Sequence, residues 1–142
     1  MLTVKHLLER KGSQVYSVTP DTPVLDAIRL MAEKHVGALL VMRGSELAGI
    51  VSERDYARKV ILLGRASADT PVRQIMTSPV ITVKPAQTVN ECLQIVTDQR
   101  IRHLPVVENG GVLGVISIGD LVKAVIESQQ EQIEQLERYI SS

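Results

Sequence analysis

No phenylalanine or tryptophan occurs in this chain, and tyrosine occurs only as Tyr16, Tyr56 and Tyr139. So few rings leave no stacking platforms for a single-stranded nucleic acid, and any core must be aliphatic. A single cysteine, Cys92, excludes an internal disulfide and any multi-cysteine metal site. The histidines, His6, His35 and His103, are scattered and form no His-Glu-x-x-His pattern. There is no Walker loop, no Gly-x-Ser-x-Gly and no Gly-x-Gly-x-x-Gly, so no catalysis and no metal requirement are expected. Neither sign of charge prevails: 16 basic and 16 acidic residues cancel, which argues against a general nucleic-acid or membrane binder. No apolar run approaches the ~20 residues of a membrane span, and the N-terminus has no cleavable apolar stretch. The expectation is a soluble cytoplasmic protein.

What is present is apolar and periodic. Apolar residues make up 44% of the 142 positions, enough for one globular domain or two small halves sharing a core. Thr3 is placed to cap a helix from Val4 to about Arg10, closed by Gly12. Tyr16 to Thr19 reads as a short strand stopped by Pro20. Val24, Leu25, Ile28, Met31 and Ala32 follow at helical spacing behind Pro23, in a helix ended near Gly37. Leu39–Met42 and Leu47–Val51 read as two strands around a turn at Arg43-Gly44-Ser45. After Asp55 a further helix is predicted to run through Val60 to Gly64.

Residues 65–71 are small and polar and form the expected linker between a first unit, 1–64, and a second, 72–128. The order then repeats. Val72–Met76 matches Val4–Leu8 in type, Val80–Val83 reads as a strand stopped by Pro85, and a helix starts at about Thr88. Leu104–Val107 and Val112–Ile116 flank Asn109-Gly110-Gly111, a strong hairpin signal. Shifted by 65 positions without a gap, the chain overlays itself at Val18/Val83, Pro20/Pro85, Leu39/Leu104, Val41/Val106, Gly49/Gly114, Ser52/Ser117 and Asp55/Asp120, among others. This is an internal duplication of a strand–helix–strand–strand–helix unit. Neither half has enough surface to be comfortable alone, so the two are expected to pack through their sheets in an α/β (α+β) fold with pseudo-two-fold symmetry.

Each half carries a strand that runs through Ser-x-x-Asp into a helix, at Ser52/Asp55 and Ser117/Asp120. A helix start presents free N–H groups to an anion, and a serine hydroxyl can add a donor to a phosphate. A carboxylate, which only accepts hydrogen bonds, suits the hydroxyls of a ribose. Taken singly, either step is better read as a capping box, which stabilises a helix start by itself. Its repetition at a constant offset favours a ligand site in each half, and the two roles are compatible.

The ordered set of a Pro-terminated strand, a helix, Arg102-His103-Leu104-Pro105-Val106-Val107, Gly114-Val115-Ile116-Ser117 and Asp120 resembles a cystathionine-β-synthase (CBS) domain. Two in tandem resemble a stand-alone Bateman module. The resemblance implies that AMP, ADP, ATP or NAD binds in clefts between the repeats, with S-adenosylmethionine less favoured, and that the module regulates an unknown partner protein in trans. It assigns phosphate and ribose roles to Ser52, Asp55, Ser117 and Asp120. It places Val36, Gly37 and Ala38 in one adenine pocket and Arg102, His103 and Leu104 in the other. Thr19, Val83 and Lys84 fall at strand ends that also touch ligand in the family. Arg54 stands beside Asp55 as a candidate phosphate ligand, whereas its counterpart is Gly119, so the halves are not equivalent. Arg58 and Lys59 are better read as a solvated helix face. The alternative is a constitutive assembly protein with vestigial clefts.

From Leu121 to about Ile140 one long helix is expected. Val122, Ile126, Gln129, Ile133, Leu136 and Ile140 are spaced 4-3-4-3-4, a short heptad seam that wants a partner surface. That surface is either the protein's own first helix or, as disc-like pairing in the family favours, a second copy in a homodimer. The last residues, 129–142, extend this helix beyond the second unit.

Overall fold

The computed structural model describes residues 1–141. The chain opens with helix α1 (Val4–Lys11), capped by Thr3 and closed at Gly12, where φ is +93°. Strand β1 (Ser17–Val18), helix α2 (Val24–Lys34), strands β2 (Ala38–Arg43) and β3 (Glu46–Ser52) and the one-turn helix α3 (Glu53–Tyr56) follow. The second half contributes helix α4 (Val89–Gln99), strands β4 (His103–Glu108) and β5 (Gly111–Ser117), and helix α5 (Ile118–Ser141). This is the mixed α+β architecture expected, with two small sheets ordered β1-β2-β3 and β4-β5.

The duplication holds down to the hydrogen-bond register. Val41 faces Gly49 across the first hairpin and Val106 faces Gly114 across the second, and each hairpin bulges one residue beyond its valine. The second tight turn uses Asn109 and Gly110, both at positive φ, as a two-residue hairpin with matching twist requires. In both halves the strand–helix step closes back on the residue before the hairpin. Glu53 N–H donates to the Gly37 carbonyl and Ile118 N–H to that of Arg102.

Four local expectations are corrected. The strand predicted over Val80–Val83 shrinks to one parallel bridge, Val83 to Val106, the counterpart of Val18 to Val41. Thr77 pairs instead with Ile50 of the first half, which draws the chain before Val83 away from the second sheet. The helix predicted beyond Asp55 is α only to Tyr56 and then winds as a π-turn over Ala57–Ile61. The wider turn keeps Tyr56 and Val60 on the core side while Ile61, Leu62 and Leu63 remain exposed. The helix expected to end near Gly37 stops at Lys34, where His35 adopts a left-handed conformation, as Arg100 does after α4. Val72–Gln74, the counterpart of α1, makes only a single 3-10 turn.

The core divides into two aliphatic clusters, but not along the two sequence halves. Val4 and Leu7 of α1 pack with Val83, Leu104, Ile116 and Leu121 of the second half. Val72 and Ile75, from beyond the 65–71 linker, pack with Val24, Leu39, Val51 and Val60 of the first. Backbone bonds seal the exchange: Val4 N–H donates to the Gln87 carbonyl, and Val72 N–H to that of Thr22. The linker is itself engaged, since Val24 N–H donates to the Thr70 carbonyl.

Leu7 is 6% exposed, so Leu7→Ala is expected to cost about 2–4 kcal/mol in urea unfolding despite its place in a terminal helix. The paired glycines give a sharper contrast. A Cβ on Gly49 would lie 2.6 Å from Met76 Sδ and 3.0 Å from the Thr77 carbonyl oxygen, whereas one on Gly114 meets mainly the movable tip of Leu8. Gly49→Ala should therefore lower the melting temperature more than Gly114→Ala.

Candidate functional site

Two clefts open where the halves meet. One, of about 490 Å³, is lined by Ser117 and Asp120 of the second half and by Tyr16, Val36, Gly37 and Ala38 of the first, with Lys11 at its edge. The other, of about 470 Å³, is lined by Ser52, Arg54 and Asp55 of the first half and by Arg100, Ile101 and Arg102 of the second. They are called here the Asp120 cleft and the Asp55 cleft. His103, Gly37 and Ile50 belong to both walls. A Cβ on Gly37 would lie 3.7 Å from the His103 ring and 3.3 Å from Glu53 Oε1, so the partition between the clefts is thin.

Both Ser-x-x-Asp steps are formed as reciprocal caps. Asp55 Oδ2 accepts from the Ser52 N–H at 3.0 Å, and Asp55 N–H donates to Ser52 Oγ at 3.2 Å. The Asp120 step repeats this at 2.8 and 3.1 Å. Capping occupies one oxygen of each carboxylate. Lys59 Nζ lies 3.2 Å from Asp55 Oδ1 and also donates to the Ile75 carbonyl. Lys11 Nζ donates to Asp120 Oδ2 and to the Val115 carbonyl, which ties the end of α1 to the Asp120 cleft.

Electrostatics separates the two steps. Burial, the largest influence on Asp120, pushes its carboxyl up. The Lys11 hydrogen bond, the Ser117 N–H and the Lys11 charge together outweigh it and hold the group below the usual range. Burial lowers the His103 imidazole, Lys11 and Arg102 press the same way, and Asp120 opposes them. Cys92, fully buried in the α4 face, is raised to about 11 first by burial and then by Glu91, which fits a packing residue and not a nucleophile. Among the described residues no group of His, Cys, Asp and Glu side chains is arranged to hold a metal ion.

Of the residues singled out in the sequence, the structure gathers Val36, Gly37, Ala38, Ser117 and Asp120 at one cleft and Ser52, Arg54, Asp55, Arg102 and His103 at the other. It does not bring Thr19, Val83, Lys84 or Leu104 there. Thr19 is exposed and turned onto Thr22, and Lys84 is exposed with its N–H on Gln87. Val83 and Leu104 are buried in the second core cluster, packed with Val106 and Ile116. Arg58 and Lys59, read as a solvated face, also line the Asp55 cleft, with Arg58 exposed and Lys59 partly so. Lys11 and Arg100 went unread. Lys11 lies 109 residues from Asp120, and only the left-handed conformation at Arg100 could have marked that turn, with no glycine to signal it.

Fold and clefts together define a duplicated module with two cavities between its repeats, each holding one Ser-x-x-Asp step. The CBS-domain family model matches residues 2–61 and 72–127, and the chain belongs to the CBS-domain family as a tandem pair. It is 46% identical over 134 residues to the mitochondrial CBS domain-containing protein CBSX3 of Arabidopsis thaliana, covering 91% of this chain and 65% of that relative's length. A solved CBS-domain structure from Burkholderia ambifaria is 52% identical, with a TM-score of 0.86 over 89% of this chain and 96% of the other. A CBS domain protein from Pyrobaculum aerophilum, solved in complex with AMP, is 27% identical with a TM-score of 0.74 over 84% of this chain and 89% of the other. No helix among the described residues is long and apolar enough to cross a membrane.

The histidine and aspartate shifts fix the sign of a pH dependence. The unfolded chain protonates His103 near 6.5, while the folded protein holds the proton off to lower pH, so stability falls as pH drops through this window. Asp120 contributes stability above its ordinary 3.8 that is lost at lower pH. His103→Gln should therefore flatten the fall in melting temperature between pH 7.5 and 5.5, and Lys11→Met, which removes what holds the Asp120 carboxyl down, should flatten the loss of stability below pH 4. An unchanged pH profile in both variants would contradict this assignment.

Proposed function

We propose that this protein is a non-catalytic regulatory module of the cytoplasm that binds adenine nucleotides (AMP, ADP, ATP or NAD) in its two clefts and signals to a partner protein in trans. The observation that carries the reading is the make-up of each cleft: one half supplies the Ser-x-x-Asp step and the other the residues before its hairpin. A ligand there touches both halves at once, and its binding energy favours whichever relative placement of the halves fits it. The AMP complex of the Pyrobaculum aerophilum relative supports the ligand class. A nucleotide ribose at Asp120 competes with Lys11 for the carboxylate, which links occupancy of that cleft to the end of α1. Because both carboxylates are already satisfied as caps, a constitutive assembly role is the competing reading.

Thermal shift separates the two. AMP, ATP, NAD and S-adenosylmethionine are tested at millimolar concentration on the parent chain and on Asp55→Ala and Asp120→Ala. At a hundredfold excess over the dissociation constant a ligand adds about 2.7 kcal/mol, a rise of several degrees. Each variant should lose the shift belonging to its own cleft, whereas no shift with any ligand leaves the assembly reading.

The module is further proposed to work as a homodimer through α5. Along the predicted seam Val122, Ile126, Ile133 and Leu136 are 46%, 60%, 49% and 62% exposed, while Leu121 and Ala124 face the protein's own core. First-helix packing therefore accounts for a different stripe of α5 from the seam. In sedimentation velocity Ile133→Asp should turn the dimer into a monomer with unchanged circular dichroism.

A further inference from the structure

We infer that the two clefts, although framed by one repeated unit, take ligands of different charge, and that the Asp55 cleft selects a chain of two or more phosphates. The inference rests on the nucleotide reading for the nucleoside end of the ligand only; the phosphate end stands on charge alone. Five cations line this cleft, Arg54, Arg58, Lys59, Arg100 and Arg102, against two carboxylates, Glu53 and Asp55. Asp55 is engaged by Lys59. Arg54 Nη1 donates at 3.2 Å to the Arg100 carbonyl, bringing the two facing walls together. Arg58, Arg100 and Arg102 make no ion pair among the described residues.

The repeat supplies an internal control. At the 65-residue offset Arg54 corresponds to Gly119, Lys59 to Ala124, Arg100 to His35 and Arg102 to Gly37. The one conserved positive charge, Arg58 to Lys123, does not help the other cleft, because Lys123 lies outside its wall. The Asp120 cleft has a single lysine, Lys11, and that lysine is committed to Asp120 and the Val115 carbonyl. A frame that needed these cations for folding would carry them twice.

Unpaired guanidinium groups gathered in a cavity repel one another and gain most from a multivalent anion, which their planar forks grip in pairs of hydrogen bonds. One wall offers Arg54 and Arg58 and the other Arg100 and Arg102, so a phosphate chain lies between donors from both halves. A cavity of about 470 Å³ is within the range of nucleotide-sized ligands. The Asp120 cleft, nearly balanced in charge, fits an adenosine ligand with one phosphate or none.

Isothermal titration of the intact chain at about 100 mM salt, with tripolyphosphate, ATP, AMP and adenosine as probes, tests this. Tripolyphosphate should bind one site per chain, and ATP should bind the Asp55 cleft at least tenfold more tightly than AMP. The double variant Arg54→Gln/Arg58→Gln, checked for an unchanged melting temperature, should lose tripolyphosphate binding and at least tenfold in ATP affinity. Its adenosine binding should stay as in the parent chain, and Lys11→Gln should leave tripolyphosphate binding unaltered. Equal affinity for AMP and ATP, or tripolyphosphate binding that survives the double variant, overturns the inference while leaving nucleotide binding intact. Tripolyphosphate binding lost in the double variant, with no binding of any nucleoside, upholds the anion site and overturns the nucleotide reading instead.

Discussion

Each half of this protein completes its core with a segment from the other half. Val4 and Leu7 fill the second cluster, Val72 and Ile75 the first, and all four are buried. Fully burying one such aliphatic side chain is worth about 1.5–3 kcal/mol, comparable to a large share of a domain's net stability. The halves therefore cannot part without opening both cores, and the surfaces between them become durable walls. The clefts exist because of that exchange. The same crossing carries Lys11 to Asp120 and Thr77 to Ile50, so the edges of each cleft belong to the segment that locks it.

Within this frame the steps between strand and helix do two things at once. Reciprocal capping holds Ser52 with Asp55 and Ser117 with Asp120 in fixed rotamers, so the carboxylates are oriented before any ligand arrives. Each carboxylate keeps further lone pairs, and a lysine occupies part of that capacity in both halves. The two lysines come from different places: Lys59 is local, one helical turn beyond Asp55, and Lys11 is remote. The identical caps are thus coupled to different parts of the molecule, which is how a symmetric frame acquires two unequal sites. His103 is shared by both walls, and its imidazole is lowered first by burial and then by Lys11 and Arg102, with Asp120 opposing.

Much of the architecture was legible. The 65-residue offset exposes the duplication, the heptad spacing predicts the long α5, and Asn109-Gly110 marks the tight hairpin. Local errors arose where tertiary contacts overrode a local pattern. Val80–Val83 has strand-like composition but lies in a segment drawn to Ile50. His35 and Arg100 turn left-handed without glycine, at a cost of roughly 1 kcal/mol each, because the chain must reverse there to enter the hairpin.

By itself the sequence determined the repeat, its hairpins and its capped strand–helix steps, because each is written in residue type at short spacing. Only the tertiary structure decided that each step faces the other half's hairpin entry, that α1 fills the second core, and that Lys11 rather than solvent meets Asp120. Those pairings join residues as far as 109 positions apart, and nothing in local chemistry distinguishes packing within a half from packing across the two. The burial of Val4, Leu7, Val72 and Ile75 makes that choice.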